Sequence, residues 1–337
     1  FFYDNSKISK ELYFLTYKAL SDEKDENNKS IKSLLFNKDD ILFFKDVLIK
    51  QAPINFKNTI NLNDFIVVHY EEMDNQRYFK AYANSFDYGN YKPLFIGKDL
   101  MENFFYPTLH KIKISSKETK FVLAYQKKVA DNFKIFYKIY SHEFDVLKED
   151  TQISQKPNDA IEPKIISFRN GDFLIVWKTN DECPNMKIHA KIFSGKNYEK
   201  IIEKDLTHCM PKYGEMLSPF NYDILALKDD MIFLTWDQAN SLKHSEYDIR
   251  LKIFNRDLSI AKEDSEATQK NLDNQMRPSL LLNDKNILLT YHDNRRFQIN
   301  NENFNYVIRG NLLDNKGKIS FSDGNDKTIS DYSNSNS

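Results

Sequence analysis

Short apolar runs ending in an aromatic residue recur along the chain: LYFLTY ending at Tyr17, FIVVHY at Tyr70, FVLAY at Tyr125, FLIVW at Trp177, IFLTW at Trp236 and ILLTY at Tyr291. A turn-forming or charged pair precedes each one, at Lys10-Glu11, Asn63-Asp64, Glu118-Thr119, Asn170-Gly171, Asp229-Asp230 and Asp284-Lys285, as a tight hairpin requires. Ahead of the turn lies a further apolar run, in Leu109 to Ile114, Ile165 to Phe168, Ile224 to Leu227 and Ser279 to Leu282. These are strands A and B of a unit. Downstream, IKSLLF, FKAYAN, KIFYKIY, KIHAKIF, DIRLKIF and VIRGNLL alternate apolar and polar positions, the mark of a half-buried strand C. A weaker strand D is expected at Phe144 to Leu147, Tyr198 to Ile202, Leu258 to Ala261 and Lys318 to Phe321.

The unit repeats at intervals of about 55 residues, which is short for a β-sandwich of about 100 residues and seven strands. Four strands per unit, each sheet covering its neighbour, predict a propeller blade. The expected fold is all-β, a six-bladed β-propeller with four antiparallel strands per blade and seven blades as the alternative. It forms a single domain over 1–329, with repeats near 1–48, 49–102, 103–155, 156–212, 213–270 and 271–329 and a flexible Ser/Asn tail at 330–337. Trp177 and Trp236, at the ends of B strands, read as packing residues between blades.

EPKIISFRNGDFLIVW (Glu162 to Trp177) and RPSLLLNDKNILLTY (Arg277 to Tyr291), with IHAKIF (Ile188 to Phe193) and IRLKIF (Ile249 to Phe254), form a pattern. It resembles the propeller repeat of large secreted and cell-surface proteins of bacteria and some protists, in which Pro-Ser-Ile, a Leu, a Gly turn and a Val-rich strand end in Trp. The stretch Thr151 to Phe321 has this likeness; the first 150 residues share only strand B, and most of that repeat's glycines and Asp-Gly turns are missing. The resemblance implies a secreted or surface-associated interaction protein and no catalytic residues.

Composition narrows the partners. Lys plus Arg (48) and Asp plus Glu (49) nearly cancel, so no global field draws the chain to nucleic acid or an anionic membrane. No apolar run is long enough to cross a bilayer as a helix, and membrane insertion is not expected. The first residue is Phe1, not Met, and the expectation is a monomeric domain of a larger or processed protein, extracellular or at the cell surface. Cys183 falls in the B–C loop of the fourth repeat and Cys209 in the following D–A segment. Alternating strand direction puts those loops on one face, which makes the two a candidate disulfide contributing on the order of 3 kcal/mol; two reduced thiols are the alternative.

Candidate chemistry gathers where B–C and D–A loops ring a channel mouth. The first residues past the aromatics are Lys18, Glu71, Gln126, Lys178, Asp237 and His292, with Asp293 beside the last. Glu71, Gln126, Lys178, Asp237, His292 and Asp293 form the candidate binding ring, suited to a protein or glycan partner. Solvated loop positions would give the same pattern. The expectation is a binding or adhesion propeller and not an enzyme. The alternative is a sialidase-like or related glycoside hydrolase, for which Glu71, Asp237 and Asp293 are the available carboxylates. Its Ser-x-Asp-x-Gly-x-x-Trp box is absent, and an arginine cluster for a carboxylate substrate would draw on Arg77, Arg169, Arg250, Arg277 or Arg295. The seven histidines show no His-x-x-x-His spacing and there is no phosphate-binding glycine loop, so neither a metal nor another cofactor is expected.

Overall fold

The computed structural model describes residues 6–9, 12–20, 29–37, 43–51, 59–62, 66–73, 76–83, 96–100, 105–141, 145–155, 158–181, 186–208, 221–239, 247–268, 275–283, 286–293, 307–319 and 327–330, with most side chains described from Tyr106 onward. Regular structure among them is all β, in six four-stranded antiparallel sheets whose strands lie in chain order. This is the propeller-type blade that the repeat predicts. Cys183 and Cys209, the residues after Ser330, and the side chains of Lys18, Glu71, Arg77 and Arg295 lie outside the described residues.

Contacts divide the chain into two compact units, 1–111 with 118–155 and 160–163, and 112–117 with 156–159 and 164–337. In the first unit the sheets are β1–β4 (Ser6–Ser9, Leu12–Leu20, Lys29–Asn37, Phe43–Gln51), β5–β8 (Thr59–Leu62, Ile66–Met73, Gln76–Ala83, Ile96–Leu100) and most of β9–β12 (Phe105–Lys113, Thr119–Val129, Asn132–Tyr140, Val146–Gln152). The second unit holds most of β13–β16 (Ala160–Ser167, Phe173–Thr179, Lys187–Phe193, Lys200–Asp205) and all of β17–β20 (Tyr222–Ala226, Ile232–Ala239, Tyr247–Phe254, Ile260–Glu266) and β21–β24 (Gln275–Asn283, Asn286–Asp293, Val307–Leu313, Lys327–Ser330). All six aromatic-ended runs are second strands, and each pairs with the alternating strand that follows it.

Burial explains why strand B reads as one apolar run. Every residue of β14 is buried, whereas β16 is exposed at all but Ile202. Within the second unit, Leu174 and Val176 of β14 join Tyr222, Ile224, Ile232, Leu234 and Trp236 in one cluster. The intervening Phe233 of β18 points the other way, into a cluster with Leu280, Ile287, Leu289 and Tyr291. A strand covered on both faces has no polar side to show, so its period-two signal disappears. The Tyr222 hydroxyl, buried between β17 and β14, donates to the Val176 carbonyl at 3.1 Å, which satisfies a polar group that burial would otherwise penalise.

The A–B turns follow the expected chemistry. Phe168 and Asp172 close one, and Leu227 and Met231 close another; each needs a left-handed residue, supplied by Gly171 (φ 86°) and Asp230 (φ 63°). Gly195 packs so closely that a Cβ there would lie 2.0 Å from the Gly171 carbonyl oxygen. The D strands begin later than expected, at Val146, Lys200, Ile260 and Lys327. Residues 146–147, 200–202 and 260–261 are strand as expected, but Tyr198 and Leu258, the first residues assigned to two of these strands, have positive φ and belong to C–D turns, as does Gly317 just ahead of the last, and Ile319 makes only an isolated bridge to Leu313. A turn of five residues that includes Leu or Tyr looks like the start of a strand in sequence.

Candidate functional site

The strands of the second unit run out at a common end, and polar groups collect there. Lys178 in β14, Asp237 in β18 and His292 and Asp293 in β22 are strand residues, not loop residues. They extend the B strands past the aromatic positions. Lys178 and Asp237 are each 1% exposed and Asp293 is 0% exposed, so they are not a solvated rim. Gln126 in β10 of the first unit is likewise buried. Glu71 lies in β6 opposite Tyr78.

Asp237 is held from three directions. Its Oδ1 accepts the Asn221 backbone N–H at 2.6 Å, and its Oδ2 accepts the Asn221 side-chain amide at 2.7 Å and the Arg277 backbone N–H at 3.0 Å. Burial pushes this carboxyl above its ordinary range, and the hydrogen bonds from Asn221 and Arg277 and the charge of Lys178 only partly oppose it. His292 is pushed down by burial and by the Arg277 charge. Asp293 faces the Arg309 guanidinium, Oδ2 to Nε at 3.0 Å. A third carboxylate at this end, Asp181, is buried, and its Oδ1 has no hydrogen-bond partner. Asp237 is thus coupled to Lys178 by charge and to His292 through Arg277, with Asp293 the residue after His292.

Asp181 and Arg309 escaped the sequence analysis. Arg309 pairs in register with Tyr291, and alternation puts it on the same face as Asn311 and Leu313, all buried; that register was the one available signal. For Asp181 there was none beyond its closeness to Lys178. Arg250, a candidate for a carboxylate-binding cluster, instead donates to Asp264 at 2.8 Å.

One contact repeats. The Gln126 side-chain oxygen accepts the Glu162 N–H at 2.8 Å, as Asp237 accepts that of Arg277. Glu162 and Arg277 have φ of 53° and 54° and each precedes a proline, a conformation uncommon for side chains with a Cβ. The acceptor after the aromatic therefore fastens the first strand of the following sheet in a strained geometry.

A second charged array covers the outer edges of the sheets. On β15 and β16, Lys187 meets Asp205 at 2.8 Å, Lys191 meets Glu203 at 3.0 Å, and His189 lies between Asp205 (2.5 Å) and Glu203 (3.2 Å). The His189 ring packs on Trp177 at 4.8 Å. Burial alone would raise Glu203, but hydrogen bonds from Lys200, Lys191 and His189 outweigh it and hold the carboxyl at about 2. Asp205 is lowered in the same way, burial being overcome by His189 and Lys187. A depressed carboxylate stabilises the fold above its unfolded value, about 4.3 for Glu, and loses that contribution as pH falls toward its folded value. Resistance to urea is therefore expected to decline between pH 5 and pH 3, and Glu203→Gln should flatten that decline; an equally steep decline in the variant would refute the assignment. Both carboxylates are substantially exposed, so each effect is small.

Among the described residues no group of three or more His, Cys, Asp or Glu is placed to hold a metal ion, and no helix is long and apolar enough to cross a membrane. No protein-family model and no curated protein matches the sequence. Solved structures do match. A protein of unknown function from Dyadobacter fermentans aligns with 89% of this chain and 90% of its own at 10% identity, with a TM-score of 0.51. An α-L-arabinofuranosidase from Lactobacillus brevis aligns over 78% and 92% at 13% identity and TM-score 0.43. An endo-arabinase from Bacteroides thetaiotaomicron aligns over 74% and 91% at 12% identity and TM-score 0.45. The likeness concerns the fold. The expectation of a binding module and not an enzyme is corrected at this point, because the structures this chain resembles include glycoside hydrolases and a polysaccharide lyase.

Proposed function

We propose that the chain is a carbohydrate-active propeller that cleaves glycosidic bonds, working at the end of the second unit where its B strands run out. One observation supports this reading: three carboxylates, Asp181, Asp237 and Asp293, one from each sheet of that unit, are buried at the same end beside Lys178 and Arg309. Carboxylates are expensive to bury, and glycoside cleavage works with a pair of them held in unlike environments. It needs one carboxyl that keeps its proton and one that stays ionised. Asp237, raised by burial, suits the proton donor. Asp293, paired with a guanidinium, suits the ionised partner. Arabinofuranosides and arabinan are the first substrates to try, since two of the structures that the chain resembles act on arabinose linkages by their names. A polymeric substrate of this kind accords with an extracellular protein.

Incubation with chromogenic glycosides and plant and algal polysaccharides should reveal cleavage. Asp237→Asn should lower the rate by about a hundredfold or more, the usual worth of a positioned acid, with thermal melting run in parallel to separate chemistry from folding. A folded Asp237→Asn protein with the parent rate, or no cleavage across the panel, would overturn the proposal.

A further inference from the structure

At the opposite end of the same unit the turns enclose a groove of about 440 Å³. Its wall comes from three sheets: Arg169 in the turn between β13 and β14, Leu227, Lys228 and Asp229 in the turn between β17 and β18, Leu282 on β21, and Asp314 and Asn315 in the turn after β23. Leu282 is 40% exposed, so apolar surface is open to a ligand.

The polar groups of the groove are unequally committed. Asp314 Oδ1 already accepts the N–H groups of Lys316 and Lys318 at 2.9 and 2.8 Å, and Asp229 Oδ1 accepts that of Met231 at 3.3 Å. Both carboxylates thus serve their own turns. Arg256, which shares Asp230 with the Arg169 backbone, is spent on Asp172 at 2.6 Å and Asp230 at 3.6 Å. Arg169 is different: its backbone N–H donates to Asp230 at 3.1 Å. Among the described residues neither its guanidinium nor the Lys228 ammonium has an ion-pair partner. The chemistry left over is therefore a planar cationic fork, a second cation and the Asn315 amide beside leucine surface. A guanidinium fork matches a carboxylate through two parallel hydrogen bonds, and apolar side chains suit the C–H face of a sugar ring.

We infer that this groove binds a uronic acid residue of an acidic glycan, with Arg169 on the carboxylate, Lys228 beside it and Leu282 beneath the ring. The formal charges of the lining cancel, so recognition comes from the fork and not from a long-range field. The inference rests on the carbohydrate reading above, and supplies an anchoring site distant from the proposed cleavage end.

Calorimetric titration of the full chain with trigalacturonate, its carboxyl-reduced counterpart and a tetraglutamate peptide decides the matter. Trigalacturonate should bind, the reduced sugar at least tenfold more weakly, and the peptide not at all. Arg169→Met should weaken trigalacturonate at least tenfold while leaving melting unchanged, because among the described residues its polar contact is made through the backbone N–H; Leu282→Ser should weaken it by a smaller factor. Equal binding of the reduced sugar, preference for the peptide, or an undiminished Arg169→Met titration would each overturn the inference. Asp237→Asn should bind trigalacturonate as the parent does, so failure of cleavage and failure of this groove read out separately.

Discussion

Arg309→Met is expected to remove about 3–5 kcal/mol of stability, the cost of leaving a buried charge without its partner. The pair it breaks is among the most enclosed of the described ion pairs, with Asp293 fully buried and the two side chains 3.0 Å apart. The same reasoning predicts recovery in a double variant. In Asp293→Leu with Arg309→Met no charge remains to be desolvated, and replacement of a buried pair by apolar groups of similar volume is often neutral or stabilising. Urea titration followed by tryptophan fluorescence is well suited to the measurement, since both tryptophans of the chain, Trp177 and Trp236, lie in the unit that contains the pair. A single variant within 1 kcal/mol of the parent, as estimated from denaturation midpoints at constant slope, would show that the pair is dispensable.

Trp177→Ala should cost a similar amount, about 3–5 kcal/mol, through lost burial and the cavity left behind. Trp177 is 2% exposed. Its ring is covered by His189 on one strand and by the Lys191 ammonium, 5.9 Å from the ring centre. Losing the ring therefore also releases the residues that organise Asp205 and Glu203 at the sheet edge. Trp236 remains as the fluorescent reporter, and Trp177→Phe should recover about half of the loss, because an aromatic ring of smaller area still fills part of the site. An alanine variant that unfolds at the parent's urea concentration would contradict the packing role.

The B strands were legible because burial on both faces leaves nothing but apolar residues between two turns. The C strands were legible for a complementary reason. Lys187 and Lys191, or Arg250 and Lys252, occupy alternate positions and meet carboxylates of the next strand, Asp205 and Glu203 or Asp264 and Glu263. Cations on the third strand and anions on the fourth are a pattern open to sequence inspection, and they place strand D better than its weak hydrophobicity does. Lys178, Asp237 and Asp293 were found as residues but misplaced as loop positions, since a fall in hydrophobicity after an aromatic looks like a strand end. The ladder hydrogen bonds that carry β14, β18 and β22 onward have no counterpart in composition. The groove at the turn end was invisible, because its parts come from turns roughly 55 residues apart, and only stacking of the sheets brings them together. Arg169 was noticed solely as one arginine among several.

The fastening of Glu162 by Gln126, and of Arg277 by Asp237, limits how this chain can drift. Only a side chain offering an oxygen of the right reach can stabilise a left-handed residue ahead of a proline in the next sheet, so exchange of Gln126 for glutamate is tolerable in principle and exchange for lysine reverses the polarity of the contact. Lys178 occupies the corresponding place in β14 and offers no acceptor. The junction that follows it is joined by another device, the Tyr222 hydroxyl on the Val176 carbonyl. Repeats of this protein are consequently not interchangeable modules: each is matched to its successor, and a permuted or spliced version that places the wrong partner after Lys178 or Asp237 would inherit a seam with two donors or none.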